Sequence, residues 1–168
     1  VYGGVVAMDF SRERTRLVQG FECGHYESLD AADLPPLYVA YSSDAGEPTE
    51  VFHDRLRERF DDGDDDVVQA MSRFAELAGE ALEALRTGAA ETLHRVLDDN
   101  FDTRASICSL PAGHTAMVTT ARSTGASAKF AGSGGAIVGV YRDETMFQRL
   151  VEELGQIGCR VFKPVVAS

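Results

Sequence analysis

The sequence predicts an α+β fold in which an antiparallel sheet carries helices packed on one face, close to a ferredoxin-like arrangement. Three features predict it. Residues 136–165 follow a strand, helix, strand pattern; a glycine-rich hairpin precedes them; and an earlier apolar strand is separated from that hairpin by four helical stretches. With 168 residues and 44% hydrophobic content, the chain is long enough to bury a substantial core. We therefore predict a single domain over residues 1–168.

The first forty residues contain two predicted strands. Val1–Phe10 is rich in β-branched and aromatic residues and has two internal glycines, which favours a strand with a bend near Tyr2. Ser11–Asp33 lacks sustained periodicity and predicts an irregular connection. Leu37–Tyr41 is a short apolar strand introduced by two prolines and followed by a serine- and glycine-containing turn.

Four helices are predicted between residues 49 and 123. The first is short and strongly charged, with an interruption at Gly63. The second is long, and its apolar residues recur at steps of three and four: Val67, Met71, Phe74, Ala78, Ala81 and Leu85. Such a stripe indicates a core-facing side. A third helix has an apolar side formed by Leu93, Val96, Leu97 and Phe101, and Pro111–Ser123 forms the fourth.

The C-terminal part predicts the strand, helix, strand unit. Ala136–Tyr141 is typical of a buried strand, and Asp143 is placed to cap the following helix. Gly158 ends that helix, and Cys159–Val165 is the last predicted strand.

Composition excludes several classes of partner. A net charge of −11 argues against nucleic acid or an anionic membrane, because binding to phosphate backbones relies on clustered Lys and Arg. No apolar run approaches the roughly 20 residues of a membrane span. The three cysteines are widely separated and odd in number, which predicts no disulfide framework and fits a reducing, cytoplasmic location.

Two patterns that resemble metal sites have simpler explanations. The acidic run Asp61–Asp66 lacks the alternate ligand spacing and closing glutamate of a Ca²⁺ loop, so we interpret it as a solvated loop whose last aspartates cap a helix. Cys23-Gly24-His25 resembles half a zinc site, but no second Cys/His pair stands at ligand spacing, so we interpret it as an ordinary loop. The four histidines share no ligand spacing either. We predict no metal site in this chain.

The most distinctive segment is Gly125–Ala136, where a strand pattern containing Lys129 leads into a glycine turn. Glycines let backbone N–H groups approach a phosphate closely, and successive N–H groups in a turn form a concave nest for an anion. The alternative is a β-hairpin whose turn merely requires positive φ, with Lys129 in solvent. The candidate residues of a phosphate or acceptor loop are Lys129, Gly132, Ser133, Gly134 and Gly135.

Two polar residues continue the apolar stripe of the third helix. Leu93, Leu97, Asn100 and Arg104 follow steps of four, three and four, so Asn100 and Arg104 share the inward side, whereas Asp102 is exposed. Inward polar groups need partners, which can be each other, nearby carbonyls or a polyhydroxylated anionic substrate. The residues alone favour a structural role at the end of the helix.

The glycine segment resembles the third conserved motif of the GHMP small-molecule kinases, G-A-x-G-A-K-x-T-G-A-G-G-G. It departs from that pattern around Ala128, Ala131 and Ser133 but keeps the turn glycines Gly132, Gly134 and Gly135. Further segments match the glucuronokinases of that family in the same order: Val1-Tyr2-Gly3-Gly4-Val5-Val6-Ala7-Met8-Asp9-Phe10, Leu34-Pro35-Pro36-Leu37-Tyr38 and Asn100-Phe101-Asp102-Thr103-Arg104. The resemblance spans nearly the whole chain and implies the C-terminal half of such an enzyme.

The resemblance implies an ATP-dependent sugar kinase that phosphorylates glucuronate or a related sugar acid at the anomeric position. ATP and Mg²⁺ are then bound mainly by an N-terminal half, because neither the P-x-x-x-G-L-G-S-S-A phosphate loop nor the catalytic aspartate of the family occurs in this sequence. The chain also starts without methionine, and we expect residues 1–10 to end a strand region shared with an N-terminal domain. No catalytic residue is expected in this chain.

The resemblance also assigns expected roles to side chains. It implies that Lys129 lies near developing negative charge, and that Asn100, Arg104, Tyr2 and His53 contact the sugar. A surface position on a charged helix is the alternative for His53. Two other functions remain open: a related heptose or galactose-type kinase, and a non-catalytic binding module whose long helix forms a homo-oligomer interface.

Overall fold

The computed structural model describes residues 4–42 and 50–166, except for the side chains of residues 50–55. The chain divides into two compact units, one formed by residues 1–34 with 165–168 and the other by residues 35–164. Each unit has its own strands.

The first unit contains two short antiparallel pairs. Strand β1 (Val5–Asp9) pairs with β4 (His25–Leu29), and β2 (Arg16–Val18) pairs with β3 (Phe21–Cys23). The prediction of an irregular connection over Ser11–Asp33 was therefore wrong. Strands of three to five residues are too short to show an alternation, and β2 buries none of its side chains.

The sheet of the second unit has four antiparallel strands in the order β6-β7-β5-β8. Its strands are β5 (Leu37–Ser42), β6 (Lys129–Phe130), β7 (Ala136–Val140) and β8 (Cys159–Phe162). Helices follow the first and third of these strands along the chain, which gives the βαββαβ order and strand arrangement of a ferredoxin-like fold. The predicted α+β class, the hairpin around the glycines and the strand, helix, strand unit are confirmed.

All five α-helices of the described residues were predicted, whereas the short 3₁₀ helix Ala31–Asp33 was not. The α-helices are α1 (Glu50–Asp61), α2 (Asp65–Thr87), α3 (Ala90–Ile107), α4 (Ala112–Ser123) and α5 (Glu144–Gln156). Asp64 caps α2 by accepting hydrogen bonds from the amides of Asp66 and Val67, and Asp143 caps α5 through the amide of Met146. The acidic run thus begins a helix, as its sequence indicated.

The main core lies between one face of this sheet and helices α3, α4 and α5. Tyr38 and Ala40 of β5, Phe130 of β6 and Ile137 of β7 point to that face, as the register of the strands requires. The helices contribute buried apolar residues: Phe101, Met117, Val118, Ala121, Phe147, Leu150 and Leu154.

The core-facing side of α2 differs in detail from the prediction. Its buried residues are Val67, Ala70, Leu77 and Ala84, whereas Met71 and Ala78 of the predicted stripe are exposed. The buried residues are three, seven and seven positions apart, and half-buried Phe74 and Ala81 of the predicted stripe lie between them, so that two apolar stripes of α2 run one position apart. Periodicity alone does not say which stripe faces α3.

Helices α2 and α3 are also joined by a ring of four charged side chains. Arg73 and Arg95 each donate to both Glu80 and Asp99, with N···O distances of 2.6 to 3.2 Å. The guanidinium groups, that of Arg95 above all, lower the pKa of Glu80. The ring therefore stabilises the packed pair of helices when Glu80 is ionised.

Replacement of the Glu80 carboxylate gives a first testable prediction. Because the folded pKa of Glu80 lies below its ordinary value of 4.5, its contribution is fully present above that pH and is lost as pH falls through the lowered pKa. Glu80→Gln is expected to melt at a lower temperature at pH 7, and to lose less stability than the wild type as the pH falls below 4.5 and through the lowered pKa of Glu80. Thermal unfolding followed across this range checks it, with exposed Glu152→Gln on α5 as the control. Parallel pH profiles for Glu80→Gln and the wild type would contradict it.

Candidate functional site

The glycine turn joins β6 to β7. The amide of Ala131 donates to the carbonyl of Ala136 at 3.0 Å and closes the loop, and Gly134 and Gly135 have φ of 150° and 72°. The carbonyl of Gly135 accepts from the Ser42 amide, which ties the end of the turn to β5. The predicted hairpin and its need for positive φ are both present.

Arg104 on α3 binds the middle of this turn. Its Nη1 donates to the carbonyl of Gly132 at 2.7 Å, and its Nη2 donates to the carbonyl of Ser133 at 3.1 Å. The guanidinium lies over the ring of Phe130, 5.1 Å from the ring centroid, and burial lowers its pKa. Of the partners that the sequence left open for Arg104, the geometry favours nearby carbonyls.

His114 covers the turn from helix α4. Its ring lies so close to Gly134 that a Cβ at this glycine would be 2.5 Å from Nδ1. The same ring contacts Phe130 edge-on, and within the described residues its buried Nδ1 has no hydrogen-bond partner. Sequence reasoning did not single out His114 for this site, because the only local signal is its place in the first turn of α4.

Lys129 immediately precedes Phe130 on β6. Its Nζ donates to the carbonyl of Phe130 at 2.8 Å, and its pKa is lowered, mainly by burial and further by the positive charge of Arg104. An ammonium group has three donors. A half-buried cation thus lies next to the glycine turn rather than in open solvent.

The segment leading to Lys129 is held by an ion-pair cluster. Asp98 of α3 accepts a hydrogen bond from the Ala128 amide at 2.9 Å, while Arg122 of α4 donates to Asp102 and to the backbone carbonyl of Asp98. The Nε of Arg122 lies 2.9 Å from an Asp98 carboxylate oxygen, but it lacks hydrogen-bond geometry. Asp102 is exposed, as predicted, and is nevertheless part of this cluster.

The structure describes the other predicted substrate residues to different extents. Asn100 is half-buried on α3, one turn before Arg104. Tyr2 lies outside the described residues, and for His53 only the backbone, in α1, is described. Contact of these three side chains with a sugar stays a prediction.

The described residues form neither a metal-binding cluster nor a membrane-spanning helix. No group of three or more His, Cys, Asp and Glu side chains is arranged to hold a metal ion. Within residues 4–42 and 50–166, no helix combines the length and the hydropathy needed to cross a membrane.

Comparison with known proteins gives sequence relatives and structural neighbours, although no family model matches the chain. Probable glucuronokinase 2 of Arabidopsis thaliana is 38% identical over 154 residues, and Glucuronokinase 1 of the same plant is 35% identical over 156. These alignments cover 90% and 91% of this chain but only 41% and 42% of the relatives. The chain thus spans about two fifths of the length of the curated relatives it matches.

The structural neighbours have lower identity. Mevalonate kinase of L. major, solved in complex with R-mevalonate, superposes with a TM-score of 0.72 at 17% identity. The superposition covers 91% of this chain and 49% of the mevalonate kinase chain. The Lin0012 protein of Listeria innocua gives a TM-score of 0.77 at 15% identity, over 86% of this chain and 42% of its own. At these identities the likeness shows the fold.

The ferredoxin-like sheet with its glycine turn after Lys129 therefore has the fold found in about half of each mevalonate kinase chain. In sequence, the chain is similar to part of two glucuronokinases. The resemblance predicted from the glycine motif and the matching segments is confirmed by these relatives.

Proposed function

We propose that this chain is the C-terminal domain of an ATP-dependent sugar kinase that phosphorylates glucuronate, or a related sugar acid, at the anomeric position. The observation that carries the proposal is the glycine turn, which α3 and α4 hold in a fixed conformation next to a half-buried lysine. The identity of 35–38% to two glucuronokinases supports this choice of substrate.

The intact protein then needs an N-terminal domain. In this proposal, that domain supplies the main ATP-phosphate loop, the catalytic aspartate and most contacts to Mg²⁺, and the strand region of residues 1–10 is shared with it. Both compact units of the chain belong to one C-terminal half. We place the protein in the cytoplasm.

Phosphoryl transfer depends mainly on positioning and on stabilisation of negative charge, so residues of this half have defined tasks. Backbone N–H groups of the turn, the hydroxyl of Ser133 and the ammonium of Lys129 are donors that suit phosphate oxygens. Bound Mg²⁺-ATP supplies the phosphoryl group. The acceptor sugar is oriented by Asn100, with Tyr2 and His53 as further contacts.

A second candidate is a binding module that forms a homo-oligomer through α2. The exposed stripe on this helix favours it, since Val68 and Met71 are 38% and 37% exposed. A heptose or galactose-type kinase is the alternative within enzymes, because the acceptor depends on details of the pocket.

Activity of the separated chain is the direct test. Residues 1–168 alone are expected to show no turnover of glucuronate and ATP, whereas the intact protein phosphorylates glucuronate. The measurement is ADP formation with glucuronate, galactose and a heptose, using a preparation whose folding is verified by circular dichroism. Turnover by the pure 168-residue chain would show that an N-terminal half is unnecessary, and an inactive intact protein would favour the binding module.

A further inference from the structure

The two carbonyls that Arg104 holds belong to consecutive peptide groups. All peptide bonds of the described residues are trans, so each carbonyl points opposite to the N–H of the same peptide plane. The Gly132 carbonyl shares its plane with the Ser133 amide, and the Ser133 carbonyl shares its plane with the Gly134 amide. Because both carbonyls are directed at Arg104, the amides of Ser133 and Gly134 are both directed away from it.

These two planes need a constraint from outside the turn. Hydrogen bonds from Ala131 to Ala136 and from Ser42 to Gly135 fix the two ends of the loop but not the planes between them. Glycine restricts its own backbone less than any other residue, so Gly132 and Gly134 do not select one orientation. The forked guanidinium of Arg104 holds both planes at once, and Phe130 supports it from below.

We infer that Arg104 is a positioning residue, which aligns the amides of Ser133 and Gly134 as a pair of donors for one phosphate group. This inference rests on the proposed function only for the source of that phosphate. Arg104 acts through the backbone of the turn and does not bind the sugar carboxylate. Its positive charge lies behind the two peptide groups and adds to the attraction for an anion.

The test uses the intact protein and distinguishes the effect of the forked guanidinium geometry of Arg104 from the effect of its positive charge. Arg104→Lys keeps the charge but replaces the planar fork by a single ammonium, and Arg104→Met removes both. The probe is inorganic phosphate, titrated while the ¹H–¹⁵N signals of the Ser133 and Gly134 amides are followed. The control is Arg142→Met, which removes an equally charged side chain from an exposed pair with Glu91.

We expect phosphate to shift both amide signals in the wild type and in Arg142→Met. Arg104→Lys is expected to weaken phosphate binding at least tenfold despite its unchanged charge. In the kinase assay it should lower kcat/KM by the same factor for a sugar acid and for a neutral sugar. Thermal unfolding verifies that each variant is folded. If Arg104→Met does not fold, the comparison of Arg104→Lys with the wild type is sufficient to test the inference.

Three results would overturn the inference. The first is that phosphate does not shift the two amide signals of the wild type, and the second is a phosphate affinity of Arg104→Lys within twofold of the wild type. The third is a loss of kcat/KM in Arg104→Lys that is confined to the sugar acid. The last would make Arg104 a ligand of the carboxylate. A wild type that phosphorylates no sugar, yet shows the Arg104-dependent shifts, would disprove the proposed kinase and support the role of Arg104.

Discussion

Gly134→Val is expected to lower kcat/KM of the intact protein at least about a hundredfold, a loss of roughly 2.7 kcal/mol in transition-state stabilisation. A Cβ at this position would lie 2.5 Å from Nδ1 and 2.7 Å from Cε1 of His114, and φ of 150° disfavours any side chain. A β-branched residue adds further rotamer restriction. The turn must therefore move away from α4, which displaces the amides proposed to bind phosphate.

The stability cost of Gly134→Val should be smaller, about 1–2 kcal/mol, because a surface turn can shift without opening the core. Gly132→Ala is a matched control in the same turn, since φ there is not positive and no heavy atom lies within 4 Å of its Cβ. Kinetics and thermal unfolding are measured together. Equal fractional losses of folding and activity, or the same effects for Gly132→Ala, would leave the turn with a purely structural role.

A rescue experiment identifies the contact responsible. In the double variant Gly134→Ala with His114→Ala, the imidazole ring that the new Cβ would meet is absent, and only the backbone strain at φ of 150° remains. We expect part of the activity lost in Gly134→Ala to return. Strictly additive effects of the two substitutions would mean that His114 does not restrict this glycine.

Much of the fold was predictable because its signals are local. Asp143 caps α5, Gly88 ends α2 in the left-handed conformation, and the glycine turn separates two antiparallel strands. Each of these capping or turn signals lies within a few residues of the helix or strand that it bounds. The strands of Ser11–Asp33 were missed because their pairing partners, rather than their own composition, make them strands.

The candidate site was only half predictable, for a related reason. The spacing of Asn100 and Arg104 showed that polar groups continue an inward stripe, but the carbonyls that Arg104 binds lie 28 and 29 residues further along the chain. His114 contacts Gly134 through the packing of α4, and no local pattern marks it. Contacts between distant segments depend on topology, which short-range periodicity does not encode.

The Asn100–Arg104 segment gains a common explanation from these contacts. Phe101 packs edge-on against Phe130 at 5.2 Å, Asp102 pairs with Arg122, and Arg104 binds the glycine turn. Three of the five residues in the Asn100–Arg104 segment therefore contact β6, support the segment before β6, or bind the glycine turn after β6. A stretch that resembles a substrate-binding motif in sequence is, in three dimensions, largely the support of the glycine turn for which we propose phosphate binding.

Gly139→Ala is expected to have the largest effect on stability of any single methyl addition considered for this chain, at least about 3 kcal/mol. Gly139 lies on the helix-covered face of β7, where a Cβ would be 1.8 Å from the Ser127 carbonyl oxygen and 2.7 Å from Cε1 of Tyr38. Ser127 is fixed there by three hydrogen bonds: its amide donates to the Val140 carbonyl, its hydroxyl accepts from the Val140 amide, and its carbonyl accepts from the Tyr38 hydroxyl. Since a backbone carbonyl cannot rotate away as a side chain can, the segment that leads to Lys129 must leave the sheet.

The matched control for Gly139→Ala is Gly155→Ala, because Gly155 lies in α5 with no heavy atom within 4 Å of its Cβ. Alanine favours a helix over glycine, so this variant should be stabilised by about 0.5–1 kcal/mol. Urea unfolding of both variants gives the comparison, with the melting temperature as a second measure if Gly139→Ala is largely unfolded. A loss below 1 kcal/mol for Gly139→Ala would mean that the Ser127 segment does not rest against β7 as described. If the contact exists as described, Gly139→Ala should also lose activity, since the positions of Lys129 and of the glycine turn depend on it.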